Sequence, residues 1–369
     1  MLMNERESAI RDLTGWGLLP RNRALYAGLA VLALAIVVIA TAPPSHAAAE
    51  RYAAGRPQDV PAGYQPEPER ESLRAVDDPA FVPAAAAQLR PEAWVIGVEI
   101  DGQTRAYGLE LLNDHEVVND EIGGTAFAVV WTPYANAALT IDREIDDLAV
   151  SFEPAPGLIH AGSVLRDRET GSYWSVLAGR AVSGPLAGTA LTVLPVSDRM
   201  SWAEWSAHHP DTQVLSVAPS GGDGRGGALQ DPGTDRYGAY FAEPGGHRGA
   251  EATDGQLATK QLVYALHHAG VAHAVDLRRV IGGRSFTLQD GSHILVYREA
   301  ADRLGRGSAA FISRAGFEQR GGSWIELASD AEFNAITRDF GGSGIPRLNG
   351  FDTFWYTWSL ANPDTAVLR

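Results

Sequence analysis

Two stretches of this chain repeat each other. SWAEWSAHHPDTQVL, from Ser201, aligns with FWYTWSLANPDTAVL, from Phe354, placing Trp202 on Trp355, Trp205 on Trp358 and Pro-Asp-Thr on Pro-Asp-Thr. Three weaker matches fall in the same order. EAWVIGVEIDGQTRAYG from Glu92 pairs with QLVYALHHAGVAHAVD from Gln261, EIGGTAFAVV from Glu121 with VIGGRSFTLQ from Val280, and GSYWSVL from Gly171 with GGSWIEL from Gly321. Collinear matches restrict the chain to an architecture that one unit can build twice. Residues 77–218 and 259–369 read as two α+β repeats, joined by a Gly-rich connector at 219–258. Each is mostly short strands with a few helices, and each ends in an aromatic helix whose Trp residues, three apart, share one face. That helix stops at the Pro, and a strand follows.

The N-terminus sets the compartment. Ala24 to Ala42 is an uncharged apolar run of 19 residues, about 28 Å long as a helix at roughly 1.5 Å per residue, near the bilayer core thickness. Arg6, Arg11, Arg21 and Arg23 precede it, which makes residues 1–23 a cytoplasmic leader and 24–42 one transmembrane helix with everything after it outside. The alternative is a signal-peptide h-region cleaved near SHA at 45–47, which would secrete the remainder. Either way the fold is extracytoplasmic. Residues 43–76 are Pro/Ala-rich without apolar periodicity and read as a disordered linker.

Composition removes several classes of function. A formal net charge of −15 argues against nucleic acid, whose phosphates require clustered Lys and Arg. The chain has no Cys, which excludes disulfides, thiolate-ligated metals and Cys nucleophiles. The connector lacks the Gly-Lys-Ser/Thr of a phosphate loop, no Gly-x-Ser-x-Gly elbow is present, and His115-Glu116 is not followed by the second His of a zincin.

The repeat also filters candidate sites. Residues the fold demands recur in both copies, whereas residues demanded by chemistry survive in one. Gly123-Gly124 and Gly282-Gly283, the paired Trp residues and Pro-Asp-Thr recur and read as architecture. His115, Glu116, Asn119 and Asp120 have no counterpart before the second Ile-Gly-Gly.

Read as one arm of a hairpin, this segment puts His115 and Asn119 on one face and Glu116 and Asp120 on the other. These four are the ligand-binding candidates, and His115, Glu116 and Asp120 the metal candidates. The competing reading has Asn119 and Asp120 capping the turn and His115 paired with Glu116. Asp167 and Arg168 are likewise confined to the first copy, as a charged turn before Trp174 or as a charge partner and anion clamp. His208-His209 and His267, His268 and His273 are weaker candidates.

These motifs resemble a prokaryotic family, the domain of unknown function 3179. VIGVEIDGQTRAY at Val95, LLNDHEVVNDEIGG at Leu111, DRETGSYWSVLAGRAVSGPLAG at Asp167, SWAEWSAHHPDTQVLS at Ser201 and RYGAY at Arg236 carry the resemblance. It covers about residues 78–240 well and the rest loosely, and the family carries no agreed activity. The family pattern implies Cys-Pro-Leu-Cys after the Gly-Gly strand. Here that place reads WTPYANAAL, with Thr132 and Ala135 in the thiol positions and Pro133 kept; the usual Tyr-Pro reads Tyr107-Gly108.

The expectation is a membrane-anchored extracytoplasmic protein that binds a ligand, a partner or a divalent cation through carboxylates. The alternative is a metal-assisted or general-base enzyme of hydrolase type, in which His115 is the base, Asp120 or Asp167 orients it, and Arg168 assists.

Overall fold

Glycine turns and short alternating segments dominate this chain, and its architecture follows from them. The computed structural model describes residues 60–216, 236–299 and 307–369. Strands account for 44% of it and helices for 14%, in a five-bladed β-propeller arrangement. This corrects the α+β expectation. The aromatic helices exist, as Trp202–His208 and Trp355–Ala361, but each has only 7 residues. Two turns cannot form a layer, so the sheets dominate the packing and each helix lies against its own sheet.

The transmembrane helix expected at 24–42 lies outside the described residues. Among those described, no helix is long and apolar enough to cross a membrane. The linker expected over 43–76 is shorter than its composition suggested. From residue 60 the chain is folded, with Gln65–Pro66 pairing antiparallel to Leu158 and Gly157 and Pro68–Arg70 forming a 3-10 turn. Of the connector, 236–258 is described and carries the short helix Gly238–Ala242.

One sheet occurs twice with the same strand order and directions. In the first, Ser197–Ser201 pairs antiparallel with Trp94–Ile100, which pairs antiparallel with Gln103–Gly108, which pairs parallel with Gln213–Leu215. In the second, Gly350–Phe354, Leu262–His268, Val271–Asp276 and Ala366–Leu368 repeat that order and those senses. Each aromatic helix follows the edge strand of its own sheet. Trp205 lies flat on Gly97, where an added Cβ would come within 2.2 Å of the indole, and its Nε1 donates to Thr212 of Pro-Asp-Thr at 3.0 Å.

Continuing the Trp202-on-Trp355 alignment sets Arg199 on Asp352, both buried. Arg199 lies in the field of Asp352, and burial lowers its guanidinium to about 10. Arg298 closes the cluster with a 2.6 Å ion pair to Asp352.

Beyond these sheets the halves differ. Val117–Ile122, Thr125–Thr132, Ala137–Asp142 and Val193–Leu194 form a four-stranded sheet, whereas the second half has a three-stranded sheet and a separate hairpin. Gly123 and Gly124, at φ 59° and 87°, make the two-residue turn between Ile122 and Thr125 that favours positive φ at both positions. Gly282 and Gly283 keep positive φ, at 74° and 93°, yet join no hairpin, because Leu277–Arg279 before them is a 3-10 turn. One apolar cluster spans both halves: Val117, Leu139, Phe152 and Trp174 pack with Val263, Phe351, Trp355 and Trp358.

Candidate functional site

The structure disperses the residues that the sequence placed together. Leu109–His115 is a helix, so His115 is its last residue and not part of the hairpin arm. The helix ends on Glu116 in the left-handed region (φ 59°), whose amide donates to Leu112 O, and the strand starts at Val117. That single left-handed residue breaks the alternation expected from a strand.

His115 donates from Nδ1 to the Arg74 carbonyl at 2.8 Å. Asn119 holds Phe152 at both ends, accepting from its amide at 3.0 Å and donating to its carbonyl at 2.8 Å, and also reaches Asp77 at 2.8 Å. It replaces a missing ladder bond between two sheets. Asp120, on the opposite face, accepts from Arg105 and the Tyr107 hydroxyl. Burial first, then the Asp120 charge, hold the Tyr107 phenol well above its ordinary value, so it remains a donor.

Asp167 is fully buried and occupied by its own turn. It accepts from the Thr170 amide at 2.6 Å, the Thr170 hydroxyl at 2.9 Å and Trp174 Nε1 at 2.8 Å. Arg168 pairs with Asp77 at 2.8 Å and Glu153 at 3.2 Å. Asp77 therefore links Arg168 to Asn119, the one pair of nominated residues that share a partner. His115, Glu116, Asp120 and Asp167 have separate partners. Among the described residues, no three His, Asp or Glu side chains are placed to hold a metal ion.

Convergence occurs instead at Glu116 and the turn after Trp131. Thr125–Thr132 runs into the 3-10 turn Pro133–Ala135, closed by Asn136 in the left-handed region (φ 50°). Thr132 Oγ1 accepts from the Ser163 amide at 2.9 Å, and Ser163 Oγ donates to Glu116 Oε2 at 2.7 Å. Arg70 completes the network. It pairs with Glu116, donates to Ser163 Oγ at 3.0 Å and reaches the Ala155 carbonyl through Nε and Nη2. Arg70 is 3% and Glu116 1% exposed, so this pair persists only because hydrogen bonds satisfy its remaining atoms. The sequence reading missed Arg70, since an Arg in a Pro/Glu-rich stretch looks solvated.

An aromatic layer covers the turn. The Tyr134 ring lies 3.8 Å from His247, tilted by 31°, with Tyr237 and Tyr240 edge-on at 5.5 Å. Tyr240 Oη donates to the Tyr134 carbonyl at 2.7 Å and shares a 2.6 Å contact with Tyr356 Oη. His247 Nε2 meets Glu67 at 2.9 Å, and Arg248 reaches the same carboxylate at 3.1 Å.

Burial first, then Glu67, Glu69 and Glu116, push the Tyr134 phenol up to about 12; Tyr237 and Tyr240 are also raised, mainly by burial. All three therefore stay neutral near pH 7. Lys260 lies 3.5 Å from the Tyr240 ring centroid, and burial lowers its ammonium. Tyr134, Tyr237, Tyr240 and His247 remain part-exposed. Behind the turn, Arg199 donates to Asn136 O and Oδ1, both at 3.1 Å.

Fold and site together define a mostly β protein whose best-organised polar centre is a buried Arg–Glu–Ser–Thr chain under an aromatic face. The chain belongs to the family described as Protein of unknown function (DUF3179), whose model matches residues 70–365. Comparison with curated proteins and with solved structures finds no match. At the two positions where the family resemblance implied thiols, Thr132 is tied to Ser163 and Ala135 is fully buried.

Proposed function

We propose that this chain is an extracytoplasmic binding protein whose recognition surface is the aromatic face over Tyr134. One observation carries the reading: three sequence-distant segments, at Tyr134, at Tyr237 to His247 and at Tyr356, converge on one turn, with Tyr134, Tyr237, Tyr240 and His247 left part-exposed. Neutral phenols and an imidazole edge suit a planar or ring-bearing ligand, held by stacking and hydrogen bonds. The buried network beneath fixes the turn and so preorganises the rings.

The cation-binding and hydrolase readings centred on His115 draw less support. That reading has Asp120 or Asp167 orient the imidazole, whereas His115 Nδ1 donates to the Arg74 carbonyl and both carboxylates are engaged elsewhere.

The test is a thermal-shift screen of the full chain against heterocyclic and carbohydrate ligands. Stabilising compounds should lose their effect in Tyr134→Ala and Tyr237→Ala and keep it in His115→Ala. Stoichiometric metal that vanishes in a His115→Ala, Asp120→Ala variant would reverse the assignment.

Membrane attachment belongs to the same proposal. The apolar run at 24–42, with four Arg ahead of it, supports a single-pass anchor with the folded part outside; signal cleavage and secretion is the alternative. Protease protection in vesicles of known orientation, with the mass of the mature chain, separates the two.

A further inference from the structure

A pocket lies in the second half, lined by none of the residues of the aromatic face. Residues 312–314 at the end of strand Ala309–Ser313, Glu326, Ser329 and the segment 343–346 line an open pocket of about 420 Å³, within the range of small-molecule sites, roughly 300–1,000 Å³. Ile312, Ile345 and Pro346 supply an apolar wall. The polar feature is Glu326.

Glu326 is 4% exposed, yet among the described residues only neutral groups bind it. Ser313 Oγ donates to one carboxylate oxygen. The other accepts from the Ala328 amide at 3.1 Å, the Ser329 amide at 2.8 Å and the Ser329 hydroxyl at 2.7 Å. Burial would raise this acid, but those hydrogen bonds outweigh it and hold the carboxyl below its ordinary value. The charge is therefore permanent near pH 7.

No Arg, Lys or His of the described residues forms an ion pair with it. Arg314, the single cationic residue in the lining, is 76% exposed and turned to Asp290, at 3.1 Å from its carbonyl and 3.5 Å from its carboxylate. A buried carboxylate without a counter-charge among the described residues, lining a pocket, attracts a ligand cation.

We propose that this pocket binds a small alkylammonium ligand, its charged head on Glu326 and its short apolar body against Ile312, Ile345 and Pro346. A metal ion fits less well. Hard divalent cations require six to eight oxygen ligands, whereas the lining offers one carboxylate whose neighbouring hydroxyls already donate to it. This assignment is independent of the Tyr134 face.

The experiment is calorimetric titration of the full chain with n-butylammonium chloride at millimolar concentration and fixed ionic strength, with n-butanol as the neutral probe. Saturable binding of the amine should weaken about tenfold or more in Glu326→Gln, which keeps the shape and loses the charge. Ser343→Trp, at the exposed rim, should abolish it, and Tyr134→Ala should leave it unchanged.

Absence of saturable binding would overturn the proposal. So would equal binding of n-butanol, or displacement of the amine by calcium through Glu326. Should Glu326→Gln fail to fold, Ser343→Trp decides alone, and unchanged binding in that variant defeats the assignment.

Discussion

Glu116 shows how one backbone angle reassigns a side chain. In an uninterrupted strand it would share a face with Asp120. In the left-handed region it turns instead to Arg70 and Ser163. Removing one partner of a buried pair strands the other charge, so Glu116→Ala should cost about 3–5 kcal/mol in urea unfolding, while Arg70→Met with Glu116→Leu should recover most of that loss. His115→Ala, which forfeits one contact at a part-exposed helix end, should stay within about 0.5 kcal/mol. A Glu116→Ala loss as small as that of His115→Ala would dismiss the network as a structural element.

A second residue-scale effect concerns protons. Burial lowers the imidazoles of His160, His209, His267 and His273 below the ordinary 6.5, and His273 Nδ1 has no hydrogen-bond partner among the described residues. Below 6.5 the unfolded chain protonates first, so these groups contribute stability that is present above that pH and lost as pH falls through and below it. Urea midpoints should drop between pH 7.5 and 5.5, and less steeply in His273→Leu. A flat profile over that interval would contradict this account.

At the scale of elements, the two aromatic helices are built differently from matching sequences. Trp202–His208 has a capping box, with Ser201 accepting from the Glu204 amide and Glu204 returning to the Ser201 amide. Trp355–Ala361 starts on Phe354 without a side-chain cap, but Trp355, Tyr356, Thr357, Trp358 and Ser359 are all buried. Ser201→Ala should therefore cost about 1 kcal/mol, and Trp358→Ala about 3–5 kcal/mol, measured by chemical denaturation. Gly97→Ala should be costly too, at about 1–3 kcal/mol, because its methyl would enter the Trp205 ring.

What could be read in advance followed the range of the forces. The Gly123-Gly124 turn and both Trp helices are specified within a few residues, and the sequence displays them. The Arg70 position is fixed by Glu116, 46 residues away, and by Ser163, 93 away, which no local pattern encodes. The same limit hid the aromatic face, assembled across separations of 106 and 116 residues. The α+β expectation failed because Trp spacing reveals that a helix exists without revealing that it is two turns long.

For the whole molecule, the shared cluster of Val117, Phe152 and Trp174 with Val263, Phe351 and Trp358 makes each half the other's core. Unfolding of the full chain should then be one cooperative transition. Residues 60–216 or 236–369 expressed alone should give compact but poorly packed species with exposed apolar surface, and mixing the two should restore a sharp transition. Independent sharp melting of either fragment would show that the halves are separate domains.

The opposition of Arg199 and Asp352 at matching places in the two similar sheets has a consequence for assembly. A first sheet meeting its own likeness in a neighbouring molecule would press guanidinium on guanidinium, shut away from water, without the Asp352 that faces Arg199 here. Repetitive chains are prone to such like-with-like association. Here unequal charge turns it away and leaves the unlike neighbour within the same polypeptide as the favoured mate.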